Sequence, residues 1–486
     1  MLVVGLVVVL VAGAVWHERN DASGGGDVDE AEARAEMPVA APATALGSTW
    51  YCAGGTASAD GFADHSVIVA NLAEDAVEGQ VTVYPEGAEP VTDQIDVDAG
   101  GVTTVRLGDV VEAPFAAALV ELEGGEVTVE HEVVGPTGAD VSPCASAPSD
   151  TWYFPFGTTV RDTTELLALF NPFPEDAVLD LTVATEEGTR IPQAFESLLV
   201  PGGSLVVVDL GVEATRRERA AVAIEARSGR LVVDRLLSFD GEEGRRGLTV
   251  TLGAPEPSDS WFFAEGFHDE TSRELFVVFN PGQVQAEVDL EIRPDDLEGV
   301  GEIVPFQLTI PPEDVVVVDT AAEERVPAGT PYSAAVRSLN GVEVVTERVV
   351  LRDVATAGGG AAATLGAPLL STRSVLTFGS AGDDITETVA VTNPSVDTIA
   401  RVSFSQLTEG GLRDLPGVDE LELQPGGRAV VALGDTGIEG DIVLVVEATE
   451  PVVTQRSLLF ADPVGISVAN AIPLAGTLAP PPALLF

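Results

Sequence analysis

The stretch Ser260-Trp261-Phe262-Phe263-Ala264-Glu265-Gly266, followed by Leu275-Phe276-Val277-Val278-Phe279-Asn280-Pro281, decides how the chain is read. An aromatic run ending at glycine, a polar gap, and an apolar β-branched run stopped by Asn-Pro describe two strands with the corners that bound them. The same words recur. Trp152-Tyr153-Phe154 leads to Asn171-Pro172, Trp50-Tyr51-Cys52 leads to Asn71-Leu72, and a copy without Trp runs from Ser374-Val375-Leu376-Thr377-Phe378 to Asn393-Pro394. Successive asparagines are 100, 109 and 113 residues apart. That period is too long for a solenoid unit or a propeller blade and suits one β-sandwich per repeat.

More than the opening recurs. A Gly- or Pro-rich corner precedes the apolar runs Val102–Leu107, Leu205–Leu210, Val315–Asp319 and Ala429–Leu433. Next come pairs of runs divided by Gly124-Gly125, Ser228-Gly229 and Asn340-Gly341, which are expected to be hairpins. The fourth repeat has Thr449-Glu450-Pro451 at this place, and the second and third both close on Thr-Leu-Gly-Ala-Pro. Thr215–Arg219 allows one helical turn. The expected fold is all-β: four tandem antiparallel β-sandwich (Ig-like) domains at 48–147, 148–257, 258–368 and 369–479. Their short linkers should limit motion between them.

Composition bounds the surroundings. All 24 basic residues are arginine against 78 acids, for a net charge of −54. Such an excess suits high salt, where repulsion is screened within about 3 Å at 1 M, and it argues against a nucleic-acid partner. With 45% hydrophobic residues the chain can still bury several cores.

The run Leu2–Trp16 is apolar throughout, but as a helix it would span only roughly 22 Å. No basic residue precedes it, which leads us to expect a start upstream of Met1. Residues 1–16 are read as a signal anchor or, with Ala12-Gly13-Ala14 as a cleavage site, a signal peptide; residues 17–47 are read as a flexible acidic linker. Either way the bulk lies outside the membrane, single-pass and tethered or else secreted. Cys52 and Cys144 stand at the two ends of the first repeat and are expected to form a disulfide, with two buried free thiols as the alternative.

Few residues suggest chemistry. The absence of lysine removes P-loop and Schiff-base mechanisms, and no GxSxG elbow accompanies the four histidines. The clusters Asp96-Val97-Asp98, Asp295-Asp296 and Gly382-Asp383-Asp384 lack EF-hand spacing and read as solvated loop acid. One column stands out: Glu130-His131, Asp234-Arg235, Glu347-Arg348 and Gln455-Arg456. Adjacent strand residues face opposite ways, so one of each pair points inward or sits at a sheet edge. His131, Arg235, Arg348 and Arg456 are therefore expected to be structural, with Glu265 a candidate partner of Arg348. Trp50, Trp152 and Trp261 are expected in the core, and Asn71, Asn171, Asn280 and Asn393 at strand ends. No catalytic, cofactor or metal residue is assigned.

The words Trp261-Phe262-Phe263-Ala264-Glu265-Gly266, Asn280-Pro281 and Glu347-Arg348 resemble a repeat of an uncharacterised actinobacterial envelope family, a domain of unknown function. The second repeat keeps Trp152, Asn171, Pro172 and Arg235 but has Pro155-Phe156-Gly157 in place of Ala-Glu-Gly. The resemblance implies location and architecture and brings no activity. The functional expectation is a non-enzymatic structural or interaction protein of the envelope whose partner is a wall or envelope protein or glycan. The alternative is a polysaccharide-binding protein.

Overall fold

The structure, a computed structural model, describes residues 37–482 apart from 59, 242–244, 357, 381 and 383. The apolar run Leu2–Trp16 and residues 17–36 lie outside the described residues, as does Asp383. No helix among the described residues is long and apolar enough to cross a membrane. Among the described residues helical structure is confined to turns of three or four residues, such as Leu210–Glu213, just before the turn expected at 215–219.

The rest is antiparallel sheet, and the sheets come in facing pairs. In the first repeat, Ser48–Cys52, Ala116–Leu122, Val77–Pro85 and Val91–Val97 lie side by side in that order. The facing sheet runs Val102–Arg106, Asp64–Asn71, Val127–Gly135, Gly138–Pro143. The second and third repeats follow the same order. In the fourth, the 18-residue strand Leu444–Ala461 serves both sheets, pairing with Leu370–Leu376 through its first half and with Ile385–Thr392 through its second.

Strand alternation builds each core. Four and two residues before each asparagine, Val67 and Val69, Leu167 and Leu169, Phe276 and Val278, Val389 and Val391 all face inward. Full burial of such side chains contributes about 1.5–3 kcal/mol apiece. Trp50, Trp152 and Trp261 join them, each only 1% exposed, and the indole N–H of Trp152 and of Trp261 donates to Leu231 O and Val344 O.

The asparagines have one task in all four places. Asn71 Nδ2 donates to the carbonyls of Asp75, Val97 and Asp98, while its Oδ1 accepts from Ala73 N. Asn171, Asn280 and Asn393 repeat the pattern on their own loops. Each side chain thereby satisfies corner carbonyls that the sheet leaves unpaired.

Two expectations need correction. The glycine-divided runs are not hairpins: Ala116–Leu122 and Val127–Gly135 belong to opposite sheets, as do Ala220–Ser228 and Val232–Asp240, and Tyr332–Ser338 and Val345–Arg352. The positive φ of Gly124, Gly229 and Gly341 turns the chain across the sandwich rather than back along one sheet. Residues 37–42, placed in the linker, are also packed. Val39, Ala40 and Ala41 are buried, Ala40 pairs with Pro473 and Ala475, and Ala41 O accepts from Glu126 N. The apolar Val-Ala-Ala run is what the acidic part of the spacer lacks.

That segment also shows how the repeats are arranged. The closing strands Gly138–Pro143, Arg246–Leu252, Gly360–Leu365 and Val464–Asn470 pack one against the next, and the last packs against the first. Their glycines mark the approach: a Cβ on Gly247 would come within 2.5 Å of Ala361 N, and one on Gly465 within 3.1 Å of Ala139 N. The repeats therefore close into a ring around these strands.

Candidate functional site

The column residues meet where one repeat abuts the next. In the second repeat Arg235 projects from Val232–Asp240 and is fully buried. It forks onto Glu347 of the third repeat, Nη2 to Oε1 at 2.5 Å and Nη1 to Oε2 at 3.1 Å. Its remaining partners are Phe156 O and Thr251 Oγ1. Glu347 Oε2 also accepts from Phe156 N at 2.9 Å. A planar fork with five donors suits this crowded set of acceptors better than an ammonium would.

The other repeats show variations. Arg456 of the fourth repeat meets Glu130 of the first at 3.0 Å, and Glu130 accepts from Phe378 N at 2.7 Å. These two residues lie 326 positions apart. In the third repeat the next acid is replaced by Gln455, which accepts from Glu265 N at 3.1 Å. Arg348 turns instead to Glu274 of its own repeat at 2.8 Å. The carboxylate partner of Arg348 is thus Glu274, not Glu265. The carbonyl of Glu265 accepts from Arg348, and its carboxylate accepts from Ser457 of the fourth repeat.

Glu274 belongs to a second column that sequence reasoning passed over. His65, Glu165, Glu274 and Glu387 each lie six residues before an anchor asparagine, and all are buried. The repeated Glu-to-Asn spacing was the available signal. Glu165 and Glu387 accept from Thr158 N and Ser380 N, both at 2.8 Å. Burial pushes Glu165 up to about 8 and Glu387 to about 7, although the guanidiniums of Arg235 and Arg456 pull the other way.

The first repeat replaces both members at once, with His65 for the glutamate and His131 for the arginine. His65 Nδ1 faces Ala116 O at 3.1 Å, so it carries the proton and donates. Neutral His65 then presents a bare Nε2 to His131 Nδ1 at 3.0 Å, and His131 Nε2 stands 3.8 Å from Asp234 Oδ2. Burial lowers His65 to about 4 and His131 well below its ordinary value, and raises Asp234 to about 7. Asp234 Oδ2 accepts from Ala53 N at 2.7 Å and Gly54 N at 2.8 Å, joining second repeat to first.

All four stations lie at or next to contacts between repeats, and their column side chains are 0–2% exposed. They are built to hold the ring. Cys52 and Cys144 form the expected disulfide. Asp295 makes a bridge between repeats, receiving Arg428 Nη1 at 2.6 Å. Among the described residues no group of three or more His, Cys, Asp or Glu is placed to hold a metal ion.

Residues 125–233 match a family of unknown function (DUF5719). The matched part runs from the first repeat's Val127–Gly135 strand into the second repeat's Val232–Asp240. A comparison with curated proteins gave no match. Among solved structures, Thermotoga maritima 1070 aligns at 22% identity and a TM-score of 0.20, covering 23% of this chain and 95% of that one. The Anabaena sensory rhodopsin transducer aligns at 23% identity and a TM-score of 0.17, covering 19% of this chain and 96% of that one. Similarity at these scores says nothing about function.

Proposed function

We propose that the chain is a non-catalytic structural and interaction protein of the cell envelope. Its N-terminal apolar segment holds it at the membrane, and its four β-sandwich domains (48–147, 148–257, 258–368 and 369–479) form one closed display platform outside. The observation that supports this reading is the Glu130–Arg456 pair, which fastens the last repeat to the first. The side chains with the strongest chemical character are spent on such links, which leaves the outward sheet faces and turns to meet a partner. Burial of Trp50, Trp152 and Trp261 keeps their faces from stacking on a sugar ring, which weighs against the polysaccharide alternative.

The test is co-sedimentation of the detergent-solubilised full chain with isolated wall polymer, beside affinity recovery from a membrane extract. Selective recovery of a membrane or wall protein supports the platform. Retention by purified polysaccharide alone favours the glycan alternative, and a turnover lost on one histidine substitution defeats both.

A further inference from the structure

Between the second and third repeats lies a cleft of about 810 Å³, within the size range of small-molecule sites. Leu275, Val317 and Leu351 of the third repeat form its floor, and Val317 is 37% exposed. Around them stand Arg161, Arg219, Arg245 and Arg273. Four of the 24 arginines in a chain of net charge −54 therefore meet at one opening.

The neighbouring interface shows that the opening is not a necessity of the fold. Leu166 and Val207 of the second repeat occupy the places of Leu275 and Val317 in the strand register. There the first repeat covers them with Phe62 and Phe115, which pack into the same apolar cluster. The register puts Arg219 where the first repeat has Phe115, and counting back from the asparagines puts Asp162 where it has Phe62. Where one interface is plugged by two rings, the next has Phe156 alone against Leu275 and Leu351 and is lined by arginines.

Arg273 pairs with Asp319 at 2.5 Å, and Arg219 Nη1 donates to Val315 O at 2.9 Å. Arg245 lies over the Phe239 ring at 5.2 Å, and Arg161 is exposed. Among the described residues no carboxylate pairs with Arg161, Arg219 or Arg245. Glu218 and Asp319 are the acids that line the cleft.

We propose that this cleft binds a small organic anion, a carboxylate or phosphate monoester carried on an apolar body. Guanidinium groups recognise both anions through paired N–H donors. The apolar part of the lining, Leu275, Val317 and Leu351 with Phe156 beside them, suits an apolar body. Distant carboxylates do not prevent binding, because at 0.1 M salt charges beyond about 10 Å are largely screened.

Calorimetric titration of the detergent-solubilised full chain with phenyl phosphate and 4-phenylbutyrate tests this, with inorganic phosphate and phenol as controls. The expected result is that at least one of the two probes binds tenfold or more tighter than either control. Arg161→Ala with Arg245→Ala should weaken that binding at least tenfold without shifting the denaturation midpoint. Arg219→Phe, which restores the plug of the first repeat, should abolish it. Absence of binding by both probes, binding no tighter than the controls, or binding unchanged in the double variant overturns the proposal.

Discussion

In the first repeat a disulfide joins Cys52 of the opening strand to Cys144, just past the closing strand. The second repeat has Phe154 and Gly253 at these places, packed so closely that a Cβ on the glycine would lie 2.7 Å from the ring. The third repeats this with Phe263 and Gly366, at 2.9 Å. The core changes in step: Val67 and Val69 stand where the second repeat has Leu167 and Leu169. Each lost methylene forgoes about 0.8 kcal/mol, so the covalent bond offsets a thinner core. The charged station changes likewise, from glutamate with arginine to two neutral histidines. Replacing both members avoids leaving a buried glutamate or arginine without the other, the outcome that costs most.

The largest effect should appear in the dependence of stability on pH, because the buried carboxyls and His65 titrate in opposite directions. Asp140, Asp234 and Glu387 are raised to about 7 and Glu165 to about 8, all chiefly by burial. A carboxyl raised in the folded state stabilises fully below its ordinary range, and that stability is lost as pH climbs through the raised value. His65 is lowered from 6.5 to about 4, so its contribution is present above 6.5 and lost as pH falls toward 4. Thermal unfolding of the full chain should give a melting temperature that declines between about pH 5 and 8 and levels off above it. Glu165→Gln should lessen that decline, and His65→Gln should soften only the acid side. An alkaline limb untouched by Glu165→Gln would break the contrast.

Loss of the disulfide comes next. Its loop of 92 residues corresponds to about 4–5 kcal/mol in the chain-entropy account. Denaturant unfolding of Cys52→Ser with Cys144→Ser should show this deficit, and the first repeat should open before the others in hydrogen exchange. A first repeat as protected as the second would mean that its smaller core needs no such support.

Glu347→Ala should cost about 3–5 kcal/mol, since it strands Arg235 in a dry site. His131→Ala strands no charge, and its cost should stay near the 1–3 kcal/mol of an unsatisfied buried group. Urea unfolding of both variants decides whether the charged and neutral stations differ in this way.

These stations also show what a sequence can reveal. The repeated opening, the anchor asparagines and the inward tryptophans are local patterns, and each copy could be checked against three others. The buried arginine column was legible for the same reason. Pairing between repeats was not, because Glu130 and Arg456 come together only through ring closure, across 326 positions. The hairpin expectation failed for a related reason. A glycine at positive φ serves a tight hairpin and a crossing between sheets equally well, and only the packing of the whole sandwich selects between them. The cleft arginines come from four separate segments and share no motif.

The smallest predicted effect tests whether the first station is a coupled replacement or two separate drifts. His65→Glu alone buries a carboxylate beside neutral His131, and His131→Arg alone buries a guanidinium with only Asp234 in reach. Together they recreate the second repeat's arrangement, with Asp234 in the place of Glu347. If the two positions act as a unit, the double variant should be about 1–2 kcal/mol more stable than the sum of the single losses allows, the usual range for residues in contact. Urea unfolding of the four proteins in the cycle measures that term directly. A sum that is additive within error would mean that His65 and His131 are held by their own backbones rather than by each other.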